Sequence, residues 1–216
     1  MKLGVIPLLA LLALAACGGG TANVRYGPTA ASAPPQARWD FEGDPVGGLP
    51  PGAAGPYGTW KVRAESDAPT GGNALCQTGR VTFAVLILGD AIYGDVALTT
   101  KFNPLAGQED RAAGLLVRVQ DRDNYYVLRA NALENNVNLY KTVGGKRDVL
   151  KEGQATVSSG RWQELRLVVT GNRLQGFING QPVVEATDDT FTAGKVGLWT
   201  KADSQTCFDA VEATVP

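Results

Sequence analysis

The sequence predicts an all-β domain, either a sandwich or a barrel, over residues 38–216. Glycine and β-branched residues are plentiful, and short stretches of alternating apolar and polar residues recur with turn signals between them. No stretch shows the periodicity of an amphipathic helix, and residues 130–136 are better interpreted as a loop than as a helical turn. About 180 residues are enough for one domain with a sizeable core.

The clearest pattern in the middle of the chain is a meander of antiparallel strands. Three strands are expected at 114–120, 125–131 and 137–143, followed by a return through Val149 and Leu150. Polar turns separate these strands, at 121–124 and at 133–136. The pattern predicts three neighbouring strands of one sheet.

A second hairpin group and two final strands follow the meander. The expected strands are 163–170, 174–178, 183–186, 195–200 and 206–215. Asn179-Gly180 lies between two of them, and this pair is a strong hairpin signal because both residues accept positive φ.

Alternation sorts the side chains of these strands into two faces. One face, with Leu115, Leu128 and Leu139, is expected to face the core. The other gathers large rings and polar groups: Arg118, Gln120, Tyr125, Arg129, Asn131, Asn138, Tyr140, Trp199 and Lys201. Flat rings together with amide or guanidinium donors suit sugars. The alternative is an ordinary solvated face with cross-strand Arg–Tyr pairs.

The N-terminus predicts a lipid anchor. Residues 3–16 are uncharged, follow Lys2 and are too short to span a bilayer, as in a signal peptide. Leu14-Ala15-Ala16-Cys17 resembles a bacterial lipobox, so we predict a signal peptide at 1–17 and acylation of Cys17, which would tether the protein to a membrane outside the cytoplasm. Gly18 favours the outer membrane if the cell is Gram-negative. An ordinary signal peptide with an incidental Cys17 is the alternative.

The segment after Cys17 and the two other cysteines complete this interpretation. Residues 18–37 are rich in Gly, Ala, Pro and Ser and predict a flexible spacer before a domain at 38–216. Cys76 and Cys207 form an even pair in an oxidising compartment, which predicts a disulfide. Two separate buried thiols are the alternative.

Composition excludes several classes of function. The chain has no histidine, which removes Ser-His-Asp and Cys-His catalysis and every histidine-ligated metal site. The net charge is −1 and the basic residues are scattered, which argues against a nucleic-acid partner.

Several short motifs occur in a recognisable order. They are Phe41-Glu42-Gly43, Asp110-Arg111-Ala112-Ala113-Gly114-Leu115, Asn124-Tyr125-Tyr126, Trp162, Asn179-Gly180, and the run 194–204 leading to Phe208-Asp209. In these motifs the chain resembles the concanavalin-like jelly rolls, and more narrowly the 3-keto-disaccharide hydrolase and laminin-G-like families. The resemblance implies a two-sheet antiparallel jelly-roll sandwich whose concave sheet, including Trp199, binds glycan.

The resemblance leaves the activity open. Laminarinase-type hydrolases carry Glu-x-Asp-x-Glu, whereas the patterns that begin at Glu42 and Glu65 have Val46 and Pro69 at the fifth position, so that retaining chemistry is not expected. Asp121 or Asp203 could act as a base in a hydrolase or lyase, although turn carboxylates usually bind the backbone.

A structural calcium ion is a further implication of the resemblance. In many carbohydrate-binding jelly rolls an acidic residue of the first strand and one of the last hold calcium together. Glu42 and Asp209 occupy comparable places here, and oxygen ligands suit this cation. The alternative is a pair of capping carboxylates.

The leading hypothesis is a non-catalytic, membrane-anchored glycan-binding protein. The ligand is expected to lie across Arg118, Gln120, Tyr125, Arg129, Asn131, Tyr140, Trp199 and Lys201. One alternative is a hydrolase or lyase for 3-keto-glycosides or anionic sugars, with Asp203 or Asp121 as base. The other is an envelope protein-interaction module whose rings serve as hot spots.

Overall fold

The architecture is a two-layer sandwich. A computed structural model describes residues 36–216, so the predicted signal peptide, Cys17 and nearly all of the spacer lie outside the described residues. Within residues 36–216 all regular secondary structure consists of β-strands, and these form two antiparallel sheets. This confirms the predicted fold class. No helix in this part of the chain is long and apolar enough to cross a membrane.

Fifteen strands make up the two sheets. In chain order they are β1 (Ala37–Trp39), β2 (Ala53–Tyr57), β3 (Trp60–Ala64), β4 (Asn73–Gln77), β5 (Val81–Tyr93), β6 (Val96–Ala106), β7 (Ala112–Asp121), β8 (Asn124–Asn131), β9 (Asn136–Val143), β10 (Lys146–Lys151), β11 (Gln163–Thr170), β12 (Arg173–Ile178), β13 (Gln181–Thr187), β14 (Gly194–Ala202) and β15 (Gln205–Thr214).

The two sheets have different strand orders. The eight-stranded sheet runs β13-β12-β11-β6-β15-β4-β3, and β1 also pairs with β15. The seven-stranded sheet runs β10-β9-β8-β7-β14-β5-β2 and contains the predicted meander as β7 to β10. The last strands of the chain therefore occupy central places, with β15 in one sheet and β14 in the other.

The core lies between the sheets. Its fully buried side chains include Leu98, Leu165 and Phe208 from the eight-stranded sheet, and Leu115, Leu128 and Leu198 from the seven-stranded sheet. Because side chains alternate along a strand, one inward-facing row from each strand is enough to fill this layer. Each fully buried leucine or phenylalanine contributes about 1.5–3 kcal/mol relative to an exposed one.

The hairpin predicted at Asn179-Gly180 joins β12 to β13. Both residues have positive φ, 49° and 77°, as the sequence predicted. The Asn179 side chain accepts a hydrogen bond from the Glu164 N–H at 2.9 Å, which ties the turn back to β11. The residue pair thus fixes both the turn and its place beside the neighbouring strand.

The predicted disulfide is present. Cys76 of β4 and Cys207 of β15 lie directly opposite each other in neighbouring strands and are bonded. The bond joins positions 131 residues apart, so it closes most of the described chain into one covalent loop.

Candidate functional site

The face of the seven-stranded sheet that points away from the core carries a second apolar cluster. Its members are Phe83, Val85, Ile87, Ala112, Leu116, Val119, Tyr125, Val127, Tyr140 and Trp199. We call this surface the outer face. It collects the rings that the alternation pattern placed opposite the core, and it packs them together instead of leaving them in solvent.

Trp199 lies at the centre of the outer face and is completely buried. Its indole Nε1 donates to the Tyr125 hydroxyl at 3.3 Å, and the Phe83 ring stacks on it with centroids 5.5 Å apart. Gly114 makes room for the indole, because a Cβ at that position would lie 3.0 Å from Trp199 Cε3. Burial raises the pKa of Tyr125, so its hydroxyl stays neutral and available as an acceptor.

Arg147 of β10 covers these rings. Its Cζ lies 4.3 Å from the centroid of the Tyr140 ring, 5.0 Å from that of Phe83 and 5.6 Å from that of Trp199. Cation–π attraction holds the guanidinium across them. Sequence reasoning missed this residue because β10 is a mostly exposed edge strand with charged neighbours; the pairing of Arg147 with Thr142 of β9 is what brings it here.

A charged cluster around Asp110 adjoins the rings. The Asp110 carboxylate is buried, accepts a hydrogen bond from Asn131 Nδ2 at 2.6 Å and forms an ion pair with Lys201. Arg129 Nη1 lies 3.8 Å from Asp110, and its Nη2 donates to Glu134 at 2.5 Å. The cluster thus alternates positive and negative groups, as a buried polar network requires.

The two aspartates predicted as candidate bases have structural partners. Asp203 accepts the backbone N–H groups of Gln108, Glu109 and Asp110 at 2.8–3.0 Å, and these bonds lower its pKa to about 2. Asp121 accepts the N–H of Asp123 and the Asn124 side chain, both at 2.8 Å. Asp203 therefore fixes the loop that presents Asp110, and Asp121 fixes a turn.

Most of the predicted polar face is brought together. Tyr125, Arg129, Asn131, Asn138, Tyr140, Trp199 and Lys201 all belong to the outer face or to the cluster beside it. Trp199, however, was expected to offer an open stacking surface, and it lies beneath Phe83 and Arg147. The rings with exposed surface at this site are Tyr57 and Phe83.

Arg118 and Gln120 do not join this group. A bulge in β7 shifts the alternation after Val117, and Arg118 has a φ of 50°. Arg118 therefore points to the end of the sandwich and donates to the carbonyls of Gly94, Phe191 and Gly171 at 2.5–3.0 Å, while Gln120 donates to Ala193. Val119 takes the place on the outer face that the sequence assigned to Arg118.

Two shallow hollows open beside the outer face. One, of about 220 Å³, is lined by Tyr57, Thr82, Phe83, Arg122, Asp123, Tyr125 and Gly145. The other, of about 370 Å³, is lined by Arg80, Val81, Thr82, Glu109, Lys201 and Ala202, so the two meet at Thr82. The first combines partly exposed rings with a guanidinium and a carboxylate, and we call it the Phe83 hollow.

A larger hollow, of about 460 Å³, lies beside Gln120 and Ala193. Its one charged lining residue is Lys195, which pairs with Asp90 at 2.8 Å. The Phe83 hollow is the better candidate site because recognition needs convergent polar groups as well as volume.

The predicted calcium ligands serve as capping groups. Glu42 accepts the N–H groups of Gly72 and Asn73 at 2.9–3.0 Å, and Asp209 accepts the N–H and hydroxyl of Thr70 at 2.8 and 2.7 Å. These hydrogen bonds are those of the capping alternative, and the calcium ion at Glu42 and Asp209 stays a prediction.

Comparisons with known proteins agree with the fold. A family model for the 3-keto-alpha-glucoside-1,2-lyase-like domain matches residues 57–213. No curated protein matches the chain. Among solved structures, carbohydrate-binding module CBM66 from Bacillus subtilis has a TM-score of 0.65 and 22% identity, over 76% of this chain and 95% of the module.

Two further structures are similar in fold. A protein of unknown function with a galectin-like fold from Bacillus subtilis has a TM-score of 0.54 and 16% identity, covering 72% of this chain and 86% of its own. A GH43 protein from Bacillus licheniformis has a TM-score of 0.57 and 12% identity, covering 83% of this chain and 39% of its own. These likenesses show that the chain shares the fold of the three proteins.

Proposed function

We propose, from the premise that this chain belongs to the 3-keto-alpha-glucoside-1,2-lyase-like domain family, that its jelly roll binds glycans without turning them over. The Phe83 hollow is the proposed binding site. The observation that carries the proposal is the arrangement of partly exposed rings and fixed donors around this hollow, on a floor of buried aromatic side chains.

The chemistry of the hollow suits a sugar. Tyr57 and Phe83 offer their exposed ring surface to the C–H groups of a pyranose, while Arg122 and Asp123 offer a donor and an acceptor for its hydroxyls. Arg122 lies 5.2 Å from the Tyr57 ring, so the two side chains form one wall. The volume is below the roughly 300–1,000 Å³ of drug-sized sites, which suits one sugar ring at a time.

The buried residues of the predicted face support the site from below. Trp199 donates to the Tyr125 hydroxyl, and Arg129 Cζ lies 5.4 Å from the centroid of the Tyr140 ring. A rigid floor lowers the entropy cost of binding, because the contact surface is already formed. In this proposal these residues position the site and the ligand contacts come from its rim.

The carboxylates near the site already have hydrogen-bond or ion-pair partners, and this supports binding rather than catalysis. Asp121 and Asp203 accept backbone donors, and Asp110 is neutralised by Lys201 and Arg129. A general acid or base near neutral pH needs a raised pKa and a free proton-accepting position. The lowered pKa of Asp203 is the opposite of that requirement.

The predicted lipid anchor determines where in the cell the proposed binding would take place. Acylation of Cys17 and a spacer at 18–37 would hold the jelly roll outside the cytoplasm, at a membrane where it meets envelope or environmental glycans. Labelling of cells with an alkyne fatty acid tests this part. Wild-type protein is expected to take up label, and Cys17→Ala protein is not.

A glycan array followed by titration tests the binding site. We expect Tyr57→Ala combined with Phe83→Ala to weaken binding about tenfold or more, because both stacking surfaces are lost. Phe177→Ala is the matched control, since Phe177 also lies under an arginine, at 5.7 Å from Arg166, but in the other sheet. Unchanged affinity in the double variant would remove the Phe83 hollow as the site.

The second candidate function is a hydrolase or lyase acting on 3-keto-glycosides. The family match favours it, and in this alternative we assign the catalytic carboxylate to the buried Asp110 beside Lys201. Turnover assays on 3-keto-glycosides decide between the two functions. Detectable turnover that is lost in Asp110→Asn but kept in Asp203→Asn, while both variants stay folded, would replace the binding proposal with the catalytic one.

A further inference from the structure

Arg147 is a partly buried cation that forms no ion pair with a carboxylate among residues 36–216. Its basic neighbours are each paired: Arg129 with Glu134, Arg122 with Asp123 and Lys146 with Asp148. Arg147 instead lies against the Tyr140, Phe83 and Trp199 rings. Its Nη1 is buried and has no hydrogen-bond partner in the described part of the chain.

The aromatic contacts leave the hydrogen-bonding capacity of Arg147 unused. Ring faces attract the charge of a guanidinium, whereas its five N–H groups lie in its own plane and need acceptors. Burial lowers the pKa of Arg147, but a guanidinium keeps its proton in proteins, so the positive charge persists. Native structures rarely leave such a buried donor without a partner.

We propose that the bound glycan is acidic and that Arg147 receives the carboxylate of a uronate residue. This inference rests on the proposed glycan-binding function and names the ligand class for the same site. A carboxylate matches the planar fork of a guanidinium with two parallel hydrogen bonds and also neutralises its charge. A neutral hydroxyl would satisfy a donor and leave the charge uncompensated.

The position of Arg147 gives a ligand access to it. Phe83 both lines the Phe83 hollow and contacts Arg147, and Gly145, two residues before Arg147, lies on the rim of the hollow. Arg147 does not line the hollow itself but is partly exposed beside it, so we propose that a sugar held in the hollow extends past Phe83 to the guanidinium. Arg122 and Asp123 on the rim of the hollow pair with each other, so Arg147 is the cation beside the hollow whose charge an acidic ligand would neutralise.

Titration calorimetry on the full chain tests the inference with three probes. They are a mannuronate tetrasaccharide, the neutral mannotetraose and a sulfated mannotetraose. At low salt we expect the uronate to bind about tenfold more tightly than the neutral sugar. Arg147→Gln is expected to abolish this preference, and Arg147→Lys to restore only part of it because an ammonium lacks the planar fork. Arg173→Gln is the matched control, since Arg173 is an exposed arginine of β12 paired with Glu185.

Each result has a separate meaning. Equal affinity for the uronate and the neutral sugar, unchanged in Arg147→Gln, overturns the acidic-ligand inference and leaves the glycan-binding function standing. A stronger preference for the sulfate ester overturns the carboxylate assignment. Failure of every probe and of a broad glycan array overturns the proposed function and this inference with it. Circular dichroism on each variant shows whether a loss of binding comes from unfolding.

Discussion

Some residues at this site are exposed to solvent, and others hold the exposed residues in place. Asp203 belongs to the second kind. Asp203 was predicted as a base, yet its two carboxylate oxygens accept three consecutive backbone N–H groups, from Gln108 to Asp110. This arrangement resembles an anion bound in a backbone nest, and it favours the ionised form. Asp203 therefore holds the loop before β7 in the conformation that places Asp110 in the charged cluster.

The stability contribution of Asp203 is expected to depend on pH. Its pKa is about 2 in the folded protein because the N–H groups of Gln108 and Asp110 stabilise the carboxylate, against an ordinary value of 3.8. A depressed folded pKa adds stability above the unfolded pKa, and that stability is lost as the pH falls through the folded value. We expect Asp203→Asn to lower the melting temperature near neutral pH, and the difference from wild type to shrink between about pH 4 and pH 2.

Thermal melts followed by circular dichroism at several pH values measure this effect. Asp67→Asn, at an exposed aspartate, is the control for the removal of a surface charge. A gap between wild type and Asp203→Asn that stays constant down to the lowest pH would contradict the assignment.

At the scale of elements, the bulge in β7 decides which side chains reach the outer face. One extra residue at Arg118 reverses the alternation for the rest of the strand. The displaced arginine turns toward the end of the sandwich, where its carbonyl partners belong to the β5–β6 turn, the segment before β14 and the β11–β12 turn. Because of the bulge, Arg118 does not contact a ligand as predicted but forms hydrogen bonds that connect the two sheets. We call these hydrogen bonds the Arg118 clasp.

Removal of this clasp is expected to destabilise the fold without changing the site. Arg118→Ala leaves three carbonyl groups without their charged donor, and we expect a loss of about 3 kcal/mol in the free energy of unfolding. Urea denaturation measures this loss, and Arg166→Ala, at an exposed arginine of β11, is the comparison. Glycan affinity of the folded variant should equal that of wild type; a large drop would return Arg118 to the binding site.

At the scale of the whole molecule, the disulfide closes most of the described chain into one covalent loop. Cys76 and Cys207 pair neighbouring strands of the eight-stranded sheet, while the Phe83 hollow lies on the other sheet. The crosslink stabilises the fold mainly by restricting the unfolded chain, and that contribution grows with loop length. The crosslink and the proposed binding site therefore lie in different layers of the sandwich.

Removal of the disulfide is expected to lower stability and to preserve binding. The chain-entropy relation gives a loss of about 4–5 kcal/mol for a loop of this length. Denaturation of the Cys76→Ala, Cys207→Ala double variant, compared with wild type with and without reductant, measures the loss. If the reduced wild type matches the oxidised protein in stability, the crosslink does not contribute as proposed.

Many of the strands could be predicted from local sequence patterns. Strand 163–170 coincides with β11, and the meander strands agree with β7 to β9 within a few residues, because alternation and turn chemistry are properties of neighbouring residues. The strands β1 to β4 and β6 were not predicted; β2, for example, contains Gly55 and Pro56 and lacks a clear alternation. Its pairing with β5 depends on residues far away in the chain.

The sequence by itself determined the β class, the Asn179-Gly180 hairpin, the cysteine pair and the aromatic, polar character of one sheet face. Only the tertiary structure decided which side chains of that face meet solvent. In it Trp199 is buried beneath Phe83 and Arg147, and a bulge directs Arg118 to the end of the sandwich. Asp203 accepts hydrogen bonds from the backbone. These outcomes depend on register and on contacts between distant strands, and a pattern of period two contains neither.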